Sequence, residues 1–206
     1  MTLRVHHVER IEIALLRPTQ LTVGYREVAA KRAEWDGLAK ADRKRFLDGH
    51  VVPTVLGPRQ RHYVVDHHHL ARALADDGHD TILVGQLADL SVLEKPEFWT
   101  VMDHRRWVYP FDAEGRRQPW EAIPKAVTAL ADDPWRSLAG ALRNAGGYAK
   151  ENEPFAEFLW ADFLRLRLDP ALMAHDFDAA VAAALKLAHT PAAAHLPGWA
   201  AAARHR

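Results

Sequence analysis

The stretch that most constrains this chain is residues 61–74, which read RHYVVDHHHLARAL. Its first part carries β-branched and aromatic residues, which favour a strand. From Leu70 onward it carries leucine, alanine and arginine, which favour a helix. The change falls at Asp66 and the three histidines that follow it. A strand that gives way to a helix across a polar turn predicts a mixed α/β fold organised around this position.

The turn at Asp66 has two interpretations. Backbone N–H groups at the start of a helix lack partners inside that helix, and the helix dipole favours an anion there, so the turn predicts a phosphate site. Asp66 could also be the N-cap residue of the predicted helix, because its carboxylate can accept the first of those N–H groups. In that second interpretation the histidines are ordinary surface residues. The local sequence leaves both interpretations open.

The rest of the first half of the chain alternates short strands with helices. This alternation predicts a small mixed-sheet α/β core over roughly residues 8–92, assigned to a domain of residues 1–94. The elements expected in it are a strand over residues 8–16, a helix over 25–39, strands over 51–56 and 62–65 joined by a turn at 57–60, and a strand over 81–85.

Residues 95–206 are predicted to form a helical extension. Helices are expected over residues 97–106, 124–130, 135–145 and 155–168, with an alanine-rich tail at 177–187 and 199–203 that packs outside the main core. The helix over 155–168 is amphipathic and offers its apolar residues to a core. Those residues are Phe155, Phe158, Leu159, Phe163 and Leu166.

Composition argues against several classes of function. Lys+Arg and Asp+Glu both number 27, so the chain lacks the basic excess of proteins that bind nucleic acid tightly and non-specifically. The absence of cysteine excludes disulfides, a thiol nucleophile and a thiolate metal site. Residues 1–20 do not resemble a signal peptide, and no apolar run reaches the roughly 18 residues that span a bilayer. We therefore expect a soluble cytoplasmic protein without membrane contact.

The histidine cluster favours a phosphate over a metal. Metal-binding histidines on a helix favour i,i+4 spacing, which three consecutive histidines lack, although His50 or His62 could join from elsewhere. His68 and Arg72 share a helix face at i,i+4, and His69 lies three residues before Arg72. The residues then expected to face the core are Leu70, Ala73 and Leu74.

Asp66 could hold a phosphate through a bound Mg²⁺, a hard ion that prefers oxygen ligands. Thr19 and Gln20 follow the first strand along the chain. We expect both of them near Asp66 if the first strand neighbours the strand over residues 62–65.

Lys31 lies on the apolar stripe of the helix over residues 25–39, three residues after Val28 and four before Trp35. A lysine on such a stripe either reaches into a cleft or extends its amine to water. Lys31 is therefore either a functional residue of a cleft or a surface residue.

A second polar cluster spans residues 132–137. Asp132 and Asp133 precede a predicted helix and could provide a cap together with a ligand or a base, while Arg136, beside Ser137, could bind an anion. The alternative is a capped helix start with a salt bridge.

The motif around Asp66 resembles a known signature. A strand, Asp66, His68, His69 and a helix with alanines resemble the Asp-Gly-His-His-Arg signature of the ParB/sulfiredoxin superfamily. A wider set of residues resembles the family of ParB-like nucleases over about residues 8–168. That set consists of residues 16–20, Gly24, Lys31, His50, residues 66–70, 98–99, 132–137 and 155–158.

The resemblance implies an α/β core like the N-terminal domain of ParB, followed by a helical extension. It also implies a pocket where the Asp-x-His-His turn holds the phosphates of a nucleotide or of nucleic acid. We expect catalytic roles for Asp66, His68, His69 and Lys31 and phosphate contacts from His67, Arg72, Thr19, Gln20 and His50. The expected cofactor is Mg²⁺ or Mn²⁺, with Asp66 as its ligand.

Three departures from the superfamily pattern exclude or disfavour particular activities of its members. Sulfiredoxin chemistry needs a cysteine, so it is excluded. Relatives that phosphorylate free serine carry an acid after the proline that follows the first strand. Here residues 18–20 read Pro-Thr-Gln, and since glutamine cannot act as a base, a kinase would need Asp66 or a histidine instead. The helices after residue 95 show no basic DNA-recognition helix, which argues against a partition protein.

The signature itself is also altered in this chain. Its glycine and arginine are replaced by His67 and Leu70. Losing the arginine removes a phosphate donor, which Arg72, Lys31 or His68 could replace.

Three functions remain. The first is a metal-dependent nuclease or phosphodiesterase. The second is a nucleotide-binding NTPase or small-molecule kinase. The third is a non-enzymatic DNA-binding or regulatory module, which the neutral net charge disfavours. We take the first as the leading prediction.

Overall fold

A computed structural model of the chain describes residues 5–151 and 154–200. The chain forms two compact units, of which the first extends to Asp132 and the second begins at Asp133. The mixture of helices and a mixed sheet confirms the predicted α/β class. A domain boundary at residue 94 stays a prediction.

The first unit contains the strands of the described residues. Its elements are β1 (Val8–Glu12), β2 (Thr22–Val23), α1 (Tyr25–Asp36), α2 (Lys40–Gly49), β3 (Val52–Gly57), β4 (Arg61–Val64), α3 (His68–Asp76), β5 (Thr81–Asp89), α4 (Lys95–His104) and β6 (Ala131–Asp132). Short 3₁₀ helices at Ile13–Leu15, Trp120–Ala122 and Val127–Ala129 complete it.

The main sheet has the strand order β1-β5-β3-β4. β3 and β4 form the expected antiparallel hairpin, and Arg59 and Gln60 in its turn have φ angles of 62° and 55°. Successive positive φ angles are typical of tight hairpin turns, because they match the twist of the strands. β3 and β5 are parallel, as a connection through α3 allows, and β1 pairs antiparallel with β5.

Both faces of this sheet are covered. Val64 packs in a cluster with residues of α1 and α3, whereas Tyr63 packs with Phe98 and Trp99 of α4. Adjacent residues of a strand point to opposite faces, which explains why neighbours in β4 belong to different clusters. The α3 residues predicted to face the core are buried: Leu70, Ala73 and Leu74.

The chain after β1 departs from the expected strand. β1 ends at Glu12 and a 3₁₀ helix follows at Ile13–Leu15. β1 neighbours β5, on the opposite side of the sheet from β4, so the strand itself is not what brings Thr19 to Asp66. Instead, the segment beyond the 3₁₀ helix runs beside β4, where Arg17 pairs with Tyr63.

The second unit is helical. It consists of α5 (Pro134–Asn144), α6 (Ala156–Arg165), α7 (Pro170–His175), α8 (Phe177–Ala188) and a 3₁₀ helix at Pro191–Ala193. Its core is centred on Trp160, whose ring stacks on Tyr148 at 4.4 Å. Alanines of α8, including Ala180 and Ala184, are fully buried in this core, so the alanine-rich tail packs within a core of its own unit.

Three predictions about the helical region need correction. Leu159 and Leu166 are 41% and 80% exposed, because they lie on the outer face of α6 and beyond its end. Residues 124–130 form only one 3₁₀ turn, at Val127–Ala129, rather than a helix. Trp199 and Ala200 are not helical, and residues 201–203 lie outside the described residues. Within the described ranges, no helix combines the length and the apolar character needed to cross a bilayer.

Candidate functional site

The turn between β4 and α3 reverses the chain within a few residues. β4 ends at Val64, and α3 begins at His68 after His67 adopts the left-handed conformation, with φ 66° and ψ 25°. Asp66 is exposed, and its side-chain Oδ1 accepts the backbone N–H of the next residue, His67, at 2.6 Å. The Ala71 N–H then donates to the His67 carbonyl at 3.0 Å, so the positive end of α3 lies at this turn.

The left-handed conformation of His67 explains why the superfamily signature has a glycine at this position. Glycine adopts positive φ without steric cost, whereas an L-residue there costs roughly 1–2 kcal/mol. The His67 ring lies half-buried, with its centroid 6.5 Å from that of His50. The turn therefore keeps its conformation without the glycine, at a cost in strain.

His68 is buried and serves the fold. The backbone N–H of Thr19 donates to its Nε2 at 3.2 Å, so the ring proton resides on Nδ1. Burial lowers the pKa of His68 to about 3, although the nearby Asp66 carboxylate partly offsets this. At neutral pH the ring is therefore uncharged. The expectation that His68 faces an open phosphate pocket does not fit a side chain that is only 3% exposed.

His69 makes a parallel connection. The backbone N–H of Gly24, the N-cap residue of α1, donates to the His69 Nε2 at 3.0 Å. The same Nε2 lies 3.2 Å from Oε2 of Glu27. His68 and His69 thus bind the chain on either side of β2, and together they hold α3 against that segment.

Thr19 and Gln20 lie beside the turn, but their side chains are engaged internally. The buried Thr19 hydroxyl donates to the Val64 carbonyl at 2.6 Å, and the Gln20 side-chain amide donates to the Thr22 carbonyl at 2.7 Å. The Thr19 carbonyl accepts the Tyr109 N–H at 2.8 Å. These bonds position the backbone of this segment. The Thr19 hydroxyl would have to give up its bond to donate to a phosphate, whereas the buried Gln20 amide has a second N–H.

Arg72 is part of a clamp between elements of the first unit. Its Nε donates to both carboxylate oxygens of Asp76, and its Nη1 donates to the Leu130 carbonyl at 2.8 Å. The guanidinium also lies 5.0 Å from the ring centroid of Tyr25. Burial alone would lower the pKa of Arg72, but the hydrogen bonds that it donates to Asp76 and Tyr25 raise it overall. The Arg72 guanidinium is therefore charged, and it already binds other groups of the protein.

Lys31 and His50 are engaged by residues of their own helical segments. The Lys31 amine binds Glu34 at 2.7 Å on the surface of α1, and in the described part of the chain no contact joins Lys31 to the turn. This favours the surface interpretation of Lys31. His50 Nδ1 lies 2.7 Å from the Phe46 carbonyl, and the two rings stack at 4.1 Å.

Asp133 caps α5 in the second unit. Its Oδ1 accepts the backbone N–H groups of Trp135 and Arg136 at 2.9 and 3.1 Å, and its Oδ2 contacts Arg165 at 2.9 Å. Burial raises the pKa of Asp133, and the charge of Arg165 opposes that rise. This is the geometry of a capped helix with an ion pair.

The other residues of the 132–137 cluster fill separate roles. Asp132, in the first unit, accepts the Tyr25 N–H at 2.8 Å and so satisfies the start of α1. In the second unit, Arg136 is buried with its guanidinium carbon 5.4 Å from the ring centroid of Phe158, and Ser137 is buried beside it. The contacts of Asp132 and Asp133 fit the interpretation as helix caps, and a ligand-binding role for the cluster stays a prediction.

The turn does not supply a complete set of protein ligands for a metal. Across residues 5–151 and 154–200, no group of three or more histidine, aspartate or glutamate side chains is arranged to hold a metal ion. Asp66 provides one exposed carboxylate. A Mg²⁺ at this position would therefore need oxygen atoms from a phosphate and from water.

One feature of the first unit is not predicted by any motif. A cavity of about 280 Å³ lies between α4 and residues 108–121. Its walls include Trp99, Asp103, Arg117, Trp120 and Glu121. The only sequence signal was two tryptophans near acidic residues, and they are 21 positions apart. None of the residues 66–69 lines this cavity.

Comparison with known proteins shows which family model and which solved structure the chain is similar to. The sequence matches a family model described as "Putative ParB-like nuclease" over residues 9–166. The crystal structure of protein Atu1540 from Agrobacterium tumefaciens is similar, with 53% sequence identity and a TM-score of 0.90. The match covers 95% of this chain and 97% of that one. No curated protein matches the sequence significantly.

Proposed function

This chain belongs to the family of ParB-like nucleases, and from that premise we propose that it hydrolyses phosphodiester bonds at the Asp66–His69 turn. The observation that carries the proposal is the left-handed His67, which joins an exposed carboxylate to the start of α3. Turns of this kind at the positive end of a helix attract phosphate groups.

The charges at the turn favour a phosphate that binds together with a cation. The helix dipole attracts an anion, whereas the Asp66 carboxylate repels one. Mg²⁺ and Mn²⁺ resolve this conflict, because such ions are commonly held by one or two carboxylates together with phosphate oxygens and water. A bound ion of this type would neutralise phosphate charge and lower the pKa of a coordinated water.

The residues of the turn divide into reacting and positioning groups. In hydrolysis, a water oxygen bonds to phosphorus, the P–O ester bond breaks and the leaving oxygen takes a proton. Asp66 is the exposed carboxylate that would hold the ion and so position a water bound to it. The positive end of α3 stabilises the charge on the phosphoryl oxygens. His68 and His69 are positioning residues, because they accept backbone N–H groups of the neighbouring segment.

The test is a turnover assay with matched aspartate variants. The purified protein is incubated with single- and double-stranded DNA, RNA, bis-p-nitrophenyl phosphate, ATP and CTP, each with Mg²⁺, Mn²⁺ or EDTA. We expect metal-dependent cleavage of a diester that is lost in Asp66→Asn. It should persist in Asp36→Asn, which alters an exposed aspartate at the end of α1.

Three outcomes would remove the proposal. The first is the absence of turnover with every one of these substrates. Diester cleavage that Asp66→Asn leaves unchanged would place the chemistry elsewhere. Turnover of ATP or CTP without any diester cleavage would make the protein a nucleotide hydrolase instead.

A further inference from the structure

The cavity beside α4 is built for a flat ligand. Trp99 and Asp103 are four residues apart on one face of α4, and Trp120 of the 3₁₀ helix Trp120–Ala122 lines the same cavity. Trp120 is 37% exposed, whereas Trp99 is almost buried. We propose that this cavity is a nucleobase-binding subsite that prefers guanine, an inference that rests on the proposed phosphodiester chemistry at Asp66.

The size and the walls of the cavity suit a single base. A volume of about 280 Å³ lies at the lower end of ligand pockets, so the cavity accommodates one heterocycle rather than a long ligand. Bases stack on aromatic side chains with little regard to sequence, because each base has a π-face. An indole at the mouth of a small cavity is therefore well placed to hold one.

The polar groups of the cavity favour N–H donors on the ligand. Asp103 pairs with Arg117 at 2.5 Å, whereas Glu121 forms no ion pair within the described residues. The Gln118 amide nitrogen donates to Asp112 at 2.6 Å, which leaves its side-chain oxygen as an acceptor. The Glu121 carboxylate and the Gln118 side-chain oxygen can therefore accept N–H donors of a ligand, and the negative charge of Glu121 disfavours an anion.

Guanine matches this arrangement better than adenine or cytosine does. Its ring N1–H and its 2-amino group are adjacent donors, and the two oxygens of one carboxylate can accept both. Adenine and cytosine offer an amino donor beside a ring acceptor, which leaves one carboxylate oxygen facing a lone pair. Selectivity should therefore depend on Glu121, and affinity on stacking against Trp120.

The wall that carries these groups is organised without a ligand. Asp112 accepts the backbone N–H groups of Glu114 and Arg116, at 3.1 and 2.8 Å, as well as the Gln118 amide. The loop therefore needs little ordering on binding, which lowers the entropic cost of association.

The cavity is also connected to the Asp66–His69 turn within the first unit. Val108 and Pro110 line the cavity and flank Tyr109. The Tyr109 N–H donates to the Thr19 carbonyl, and the Thr19 N–H donates to His68. One short backbone segment, Thr19 with Tyr109, thus connects the lining of the cavity to the first residue of α3.

The experiment uses nucleosides, which carry no phosphate and so report on the cavity alone. Saturation-transfer NMR and tryptophan fluorescence titrations are run with guanosine, inosine, adenosine and cytidine on the full chain. We expect guanosine to bind most tightly, and inosine, which lacks only the 2-amino group, to bind more weakly. Trp120→Ala should weaken guanosine binding on the order of 10-fold, and Trp120→Phe should retain most of it.

Matched charge variants test the selectivity. Glu121→Gln should abolish the preference for guanosine over inosine, whereas Glu114→Gln, an equal change on an exposed residue of the same loop, should not. Unchanged thermal melting of each variant shows that the fold is intact.

The outcomes separate this inference from the proposed function. Diester cleavage without nucleoside binding overturns the subsite and leaves the hydrolase. Guanosine binding without turnover supports the subsite and removes the hydrolase. Binding of an organic cation such as N-acetylarginine amide, with no nucleoside binding, also overturns the subsite.

Discussion

The backbone N–H of Thr19 donates to Nε2 of His68 across 49 positions of sequence, at a distance of 3.2 Å. This bond joins the segment after β1 to the first residue of α3 and lies entirely inside the protein. It can form only while Nε2 carries no proton, because a protonated ring nitrogen cannot accept a hydrogen bond. The stability of the turn is therefore linked to the protonation state of one buried imidazole.

Removing the His68 ring should destabilise the first unit. His68→Ala leaves the buried Thr19 N–H without its acceptor and opens a cavity, so we expect a loss of about 3 kcal/mol in the free energy of unfolding. His68→Gln can place its amide oxygen near the position of Nε2 and should lose less. Guanidinium chloride denaturation measures the free energy of unfolding of both variants. His104→Ala, an exposed control on α4, should stay within about 0.5 kcal/mol of wild type. Equal stability of all three variants would contradict a structural role for His68.

The depressed pKa of His68 predicts a loss of stability in acid. Its pKa in the folded protein is about 3, whereas a histidine in an unfolded chain titrates near 6.5. Between these values the unfolded chain binds the additional proton, so the free energy of unfolding falls by about 1.4 kcal/mol per pH unit as the pH decreases. Above pH 6.5 this contribution is constant.

The pH dependence is measured as a difference between two proteins. From pH 7 to pH 5, wild type should lose about 2 kcal/mol more than His68→Gln, because the other histidines contribute equally to both. Parallel stability curves over this range would show that the ring titrates normally.

Substitutions of His67 measure the backbone strain at the turn. At a φ of 66°, His67→Gly relieves the steric cost of a side chain and should leave stability unchanged or slightly higher. His67→Val places a β-branched residue at positive φ and should cost at least about 2 kcal/mol relative to the glycine variant. Thermal melting measures this difference. The opposite order of stability would mean that the turn is not left-handed in solution.

Arg72 should act through structure. An ammonium cannot contact Asp76 and the Leu130 carbonyl as one planar fork does, so Arg72→Lys should lose about 1–2 kcal/mol of stability. Arg45→Lys, on the exposed surface of α2, is the matched control. Calorimetry with pyrophosphate and Mg²⁺ should give the same affinity for both variants. A lower affinity at unchanged stability would restore Arg72 as a phosphate ligand.

Features that depend on neighbours along the chain were predictable. The β3–β4 hairpin follows from local turn residues. The helix α5 and the buried face of α3 follow from hydrophobic periodicity. α2 was not predicted, because its residues are mostly charged and only Leu47 is fully buried. Its helix is anchored by Phe46, whose ring lies 5.8 Å from that of Trp35, and such a contact between helices leaves no periodic signal.

The position of the turn was predictable from the sequence, but the contacts of its side chains were not. Asp66 and His67 occupy the turn that the sequence indicated, and Thr19 lies beside it. Arg72 was assigned to a phosphate because i,i+4 spacing reveals shared helix faces but not the groups on the other side. Its partners include Asp76 on the same helix, but Tyr25 and Leu130 come from distant segments.

The order of strand, acid, histidines and helix is a local property of the chain, and it determined where the turn forms and which family the protein joins. Burial is a property of packing, so the tertiary structure alone decided that His68 lies inside while Asp66 faces solvent. The physical reason is that a side chain's solvation, and with it its charge, depends on which segments pack against it. For His68 that segment lies 49 residues earlier, where no sequence window around the turn can reach it.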